Sequence, residues 1–177
     1  MNNSSLQDIE FNFIINDIIN NPTVLQMNNF KQHYETSCFE HCLNVSYYSY
    51  LICKKFNLDY VAAARSGMLH DLFLYDWRTK TNNRTGLHAF THPKTALNNA
   101  KCEFDISKKE EDIILKHMWP VTLKLPKYRE SYIITLVDKF CALKESFSYY
   151  KTLKVSKKVL RYAYLFFNVV LINLIEY

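Results

Sequence analysis

The sequence predicts an all-α fold, and three observations carry that expectation. Apolar residues recur at three- and four-residue spacing through most of the chain, clean period-two alternation is scarce, and capping residues fall where the periodic stretches begin. Leu6, Ile9, Phe13 and Ile14 open a first helix that runs to about Ile19 and is closed by Pro22. A second helix covers Glu35 to Phe56, with Phe39, Leu43, Tyr47, Tyr50 and Leu51 along one side and His41 inside it. A third begins near Asp59, an accepted N-cap residue, and carries Val61, Ala64, Met68, Leu69 and Leu72 through the pair His70-Asp71. The stretch from Tyr75 to Thr91, rich in Asn, Thr and Arg, reads as a loop and as a candidate pocket wall. Thr91-His92-Pro93 has the form of a helix start, since proline is tolerated in a first turn, and Ala96, Leu97 and Ala100 continue it. Ser107 and Glu110 form a capping box ahead of Ile113, Ile114 and His117. Pro120 and Pro126 bracket a short connection to a last core helix, Arg129 to Lys144, whose apolar side is Tyr132, Ile133, Leu136, Val137, Phe140 and Cys141.

Length and composition narrow the classes of function. The 177 residues fit a single domain with one core. Only Gly67 and Gly86 are glycine, which excludes Gly-rich phosphate loops and dinucleotide-binding fingerprints. Five cysteines with no CxxC pair support neither a disulfide framework nor a zinc ribbon; reduced thiols are expected, with Cys38 and Cys42 as packing residues. Met1 to Glu10 is polar and acidic, unlike a signal peptide, so a cytoplasmic protein is expected.

The net charge of +5 is modest, but seven basic residues against Glu145 alone lie between Lys139 and Arg161, followed by an apolar stretch from Val159 to Ile175. Arg161, Asn168 and Asn173 interrupt that stretch and it falls short of the ~20 residues of a spanning helix. A C-terminal helical extension over about 146–177 is expected, packed on the domain or on a second copy as a homodimer, with no transmembrane segment. The aromatic residues keep helical spacing, which argues for core packing and against a nucleic-acid surface.

Chemistry is concentrated in six residues, His41, His70, Asp71, His92, His117 and Asp138, each in or beside a separate helical segment except the adjacent pair. Imidazole nitrogen with carboxylate oxygen suits Mn, Fe, Co, Ni or Zn, whereas Mg prefers oxygen alone. Asp138 shares a helical face with Ile134, Cys141 and Ala142, and His117 follows Ile113 and Ile114 by four and three residues, so both point to the core and need a partner there. His33 and His88 lie in polar surroundings and read as surface residues.

The order His41, His70-Asp71, His92 in Thr-His-Pro, His117 in His-Met-Trp-Pro and Asp138 in Val-Asp-Lys resembles the HD-domain superfamily of metal-dependent phosphohydrolases, over about residues 35–145. Arg65-Ser-Gly-Met-Leu-His-Asp-Leu-Phe and His117-Met-Trp-Pro resemble a branch of uncharacterised bacterial HD hydrolases. The resemblance implies a helical bundle in which His41, His70, Asp71 and Asp138 bind one metal, His92 and His117 add a second, and Asp71 bridges the two. It implies hydrolysis of a phosphoester, a nucleotide or phosphodiester, by a metal-activated hydroxide, with His70 and Asp71 as catalytic residues. Leu72-Phe73 stands where the cyclic-dinucleotide enzymes have Ile-Gly, which argues against such a substrate. Arg65, Arg78 and Lys139 are candidates for binding phosphate oxygens. The alternatives are a single-metal nucleoside monophosphate phosphatase and a non-catalytic nucleotide-binding protein of the same fold.

Overall fold

The computed structural model describes residues 3–33, 35–79 and 86–153, and among them the fold is all-α. In chain order these are α1 (Asn3–Ile19), α2 (Pro22–Leu25), a 3-10 turn (Gln26–Asn29), α3 (Cys38–Lys55), α4 (Tyr60–Leu69), α5 (His88–Glu103), α6 (Lys108–Lys116) and α7 (Arg129–Leu153). Two short strands, β1 (Lys31–His33) and β2 (Thr36–Ser37), pair antiparallel as a ribbon ahead of α3.

The capping chemistry decides where the helices differ from expectation. The second expected helix starts at Cys38 rather than Glu35, because Ser37 caps it: Ser37 Oγ accepts from Glu40 N at 3.1 Å and Glu40 accepts from Ser37 N at 2.9 Å. The third stops at Leu69, leaving His70 as its C-cap and Asp71 in the turn beyond. The fourth starts at His88, ahead of the expected Thr91, so Pro93 lies inside α5 rather than in its first turn. The capping box at Ser107 and Glu110 forms as read from the sequence. The last helix continues beyond Lys144 to Leu153, and the expected apolar C-terminal helix, Val159 to Ile175, lies outside the described residues.

Glycine matters at one helix crossing. A Cβ on Gly67 would sit 2.6 Å from Ser46 Cα, so α3 and α4 can approach this closely only with glycine there. Ser46 Oγ donates to Ala64 O at 2.6 Å across the same contact. The crossing brings the rings of His41 and His70 to 5.6 Å between centroids.

Three apolar clusters surround that point. One joins α3, α4 and α5 through Cys42, Met68, Leu72, Phe73 and Leu97. A second joins α3, α6 and α7 through Val45, Ile113, Ile134 and Val137, and a third seats α1 by Phe11 and Ile15 against Tyr50 and Ala64. Each fully buried large aliphatic side chain contributes about 1.5–3 kcal/mol, which offsets the cost of holding a polar centre away from water. The cysteines are free thiols, all buried except Cys102. Among the described residues no helix is long and apolar enough to cross a membrane.

Candidate metal centre

The six candidate residues come from five helices. His41 stands in the second turn of α3, His70 and Asp71 at the end of α4, His92 inside α5, His117 at the C-cap of α6 and Asp138 inside α7. The structure brings all six together. Five of them are almost fully buried, and the Asp138 side chain is 13 % exposed.

The hydrogen bonds fix which nitrogen of each ring faces the centre. His70 Nδ1 lies 2.8 Å from Gly67 O, His92 Nδ1 2.8 Å from His88 O, and His117 Nδ1 2.9 Å from Ile114 O. A carbonyl only accepts, so each Nδ1 carries a proton and each Nε2 faces the centre, where it offers a lone pair when the ring is neutral. His41 differs, because both its partners are carboxylates: Nδ1 donates to Glu145 at 3.0 Å and Nε2 to Asp138 Oδ1 at 3.1 Å, and the two carry its pKa well above the ordinary value in spite of burial. His92 Nε2 and His117 Nε2 then stand 2.8 Å apart. Two imidazole lone pairs at that distance repel unless a proton or a metal ion lies between or beside them.

Asp71 divides its two oxygens. Oδ1 is 3.1 Å from His92 Nε2 and 3.5 Å from His117 Nε2; Oδ2 is 3.5 Å from His70 Nε2 and accepts a short hydrogen bond from Gln32 Nε2. His70 Nε2 is also 3.7 Å from Asp138 Oδ1, yet has no hydrogen-bond partner although it is buried. His70 Nε2 and Asp71 Oδ1, both buried without a hydrogen-bond partner, are atoms a cation would satisfy. The buried groups His41-His70-Asp71, His70-His117-Asp138 and Asp71-His92-His117 each place their donor atoms within 4.8 Å of one another and could hold a metal ion. Mixed imidazole and carboxylate donors fit a divalent transition metal.

Charge is balanced in the same way. Burial works to raise the pKa of Asp71, but the imidazoles of His70, His92 and His117 overcome it and hold the carboxyl far below the usual range. Asp138 is likewise held low against burial by His41 and His70. Burial pushes His117 down to about 3, whereas Asp71 carries His92 above its ordinary value in spite of burial.

Several neighbours were not singled out from the sequence. Glu145 lies two turns after Asp138, and that seven-residue spacing on one helical face could have flagged it. Gln32 sits on β1, where three residues carry too little pattern to read. His33 and His88, read as surface residues, are half-buried beside the centre: His33 packs edge-on against His41 at 5.0 Å, and His88 stacks on His92 at 4.5 Å while its carbonyl orients that ring.

The three cations expected to bind phosphate separate. Arg65 spends its guanidinium on Asp17 at 2.8 Å and Glu110 at 3.3 Å, bracing α1 against α4 and α6. Lys139 is half-buried, with Nζ 3.2 Å from Thr135 O and 3.4 Å from His117 O, and burial lowers its pKa. Arg78 is exposed and lines an open cleft of about 500 Å³ together with Lys31, Gln32, His33, Glu35, Trp77 and Ser146. Gln32 and His33 touch the centre, so the cleft and the centre share a wall.

No family model matches the sequence, and no curated protein or solved structure matches it significantly.

Proposed function

We propose that the protein is a metal-dependent phosphohydrolase of the HD-domain type, cleaving a phosphoester at a two-metal centre. The observation that carries this reading is the facing pair His92 Nε2 and His117 Nε2 at 2.8 Å beside Asp71 Oδ1, with His70 Nε2 on the other side of the same carboxylate. One carboxylate between two groups of imidazoles suits a bridging ligand: His41, His70, Asp71 and Asp138 would hold one ion, and Asp71, His92 and His117 the other. Divalent ions bound there would lower the pKa of water and neutralise charge building on a phosphate.

The chain's own residues supply orientation. Gly67 O, His88 O, Ile114 O and Glu145 hold the four rings with Nε2 inward, and Gln32 holds Asp71 Oδ2. The ordered six-residue motif adds support, because it resembles that superfamily over about residues 35–145. A small phosphorylated substrate such as a nucleotide fits the size of the adjoining cleft. The two-metal form is preferred over a single-metal phosphatase because His92 and His117 face each other, not the cleft.

Metal analysis of protein purified without chelators, with phosphomonoester, phosphodiester and nucleotide hydrolysis measured side by side, tests the proposal. Close to two ions per chain and turnover, both lost in Asp71→Ala, are expected. A metal-free parent, or full occupancy in Asp71→Ala, would overturn it.

A further inference from the structure

We infer that the cleft beside the metal centre receives the non-reacting part of a substrate that carries a second anionic group, and that Arg78 is the residue that binds this group. The inference rests on the phosphohydrolase reading for the position of the first phosphate, and on separate observations for the second.

Arg78 is held in place without an ion pair, although Glu35 is near enough to feel its charge. Its Nη2 donates to Gln32 O at 3.4 Å, and its guanidinium carbon lies 5.3 Å from the centre of the Trp77 ring. Among the described residues no carboxylate stands at ion-pair distance from it. Lys31, the other cation of the cleft, is tied to Glu35 at 2.5 Å. A guanidinium held over an aromatic ring loses less freedom on binding and still has donors for a charged acceptor.

That support is continuous with the centre. Trp77 stacks on His88 at 5.5 Å with 14° between the planes, and His88 stacks on His92 at 4.5 Å with 23°. Gln32 makes a second link: its backbone carbonyl holds Arg78 and its side-chain amide holds Asp71. Gln32 is 7 % exposed, and its Oε1 is buried with no hydrogen-bond partner, as is Trp77 Nε1. A phosphate at the centre and an anion at Arg78 would be bridged by Gln32, with the body of the substrate filling the cleft.

The test compares adenosine 3′,5′-bisphosphate with adenosine 5′-monophosphate by calorimetric titration into the Mn-loaded full chain, alongside turnover of both. The bisphosphate is expected to bind about tenfold tighter or more, because a charge-assisted, bidentate contact is among the stronger polar interactions. Arg78→Met should bring the bisphosphate down to the affinity of the monophosphate, and Arg78→Lys should retain part of the preference because it keeps the charge and loses the fork. Arg78 is exposed, so both variants should fold. Equal affinity for the two nucleotides in the parent, or a preference that survives Arg78→Met, would overturn the inference. Absence of turnover with the preference intact would instead overturn the phosphohydrolase reading and leave the anion site standing.

Discussion

Adding a divalent transition metal to chelator-treated protein should raise its melting temperature by several degrees, and Asp71→Asn should abolish most of that rise. The structure sets the reason. His92 Nε2 and His117 Nε2 face each other at 2.8 Å, His70 Nε2 is buried without a hydrogen-bond partner, and the Asp71 carboxylate lies 3.1–3.5 Å from all three. A ligand that binds only the folded state stabilises it by about 2.7 kcal/mol at one hundred times its dissociation constant, and for a chain of this size each kcal/mol moves the midpoint by roughly 2–4 °C. The expected rise is therefore about 5–11 °C for one saturated site, and more where both fill. Scanning calorimetry with Mn, Zn and Mg reads it directly, with Mg giving the smallest shift because imidazole is a poor ligand for it. A melting temperature that ignores metal and chelator alike, or an Asp71→Asn protein that keeps the full rise, would refute the reasoning.

Three further changes follow from single contacts. Gly67→Ala forces a methyl to 2.6 Å from Ser46 Cα and should cost about 1–3 kcal/mol as overpacking between α3 and α4, read as a lower urea midpoint. Glu145→Ala removes the acceptor that holds His41 Nδ1–H and should weaken metal binding by about 10–100-fold while leaving the helical circular dichroism unchanged; undiminished affinity would mean that His41 needs no orienting partner. Asp112 accepts from Lys127 N at 2.9 Å and Ser131 Oγ at 2.8 Å and lies against Lys116; these donors hold its pKa below 3.8 although burial works to raise it. A depressed carboxylate contributes stability that is whole above its unfolded pKa and is lost as pH falls through the folded one. Stability should thus decline from about pH 4 downward, and urea titrations at pH 7 and pH 3 should show a smaller difference for Asp112→Asn than for the parent.

The helices and the centre were legible for a common reason: both rest on spacing. Apolar residues at three and four predict α4 and α7, and a histidine or aspartate on such a face, as His117 and Asp138 are, contradicts burial unless something binds it. What escaped the reading lacks a period. The ribbon Lys31–His33 with Thr36–Ser37 is too short for alternation to register, so Gln32, which touches Asp71, carries no signal in the sequence. Thr91-His92-Pro93 predicts a helix start because proline suits a first turn, whereas His88 opens α5 and Pro93 lies within it. Arg65, Arg78 and Lys139 have equal standing as cations in the sequence, and only their partners, Asp17 and Glu110, the Trp77 ring, and the carbonyls of Thr135 and His117, separate them.

The ends of two helices do part of the centre's work. A helix leaves its last four carbonyls without an intrahelical donor. α4 and α6 each terminate at a histidine, and in each the ring donates to a carbonyl of that final turn, Gly67 O for His70 and Ile114 O for His117. Stopping the helix and fixing the tautomer are thus one event, and the following residue, Asp71 after His70, is free to leave the helical path and reach between the rings. His41 stands near the start of α3, where the carbonyls are taken up by the helix, and it uses a side chain from another element, Glu145, for the same purpose. His92, inside α5, finds its acceptor in His88 O of its own first turn, whereas His41, inside α3, takes a side chain of α7. The orientations of the His70 and His117 rings thus depend on where α4 and α6 stop, while that of His41 depends on how far α7 continues past Asp138.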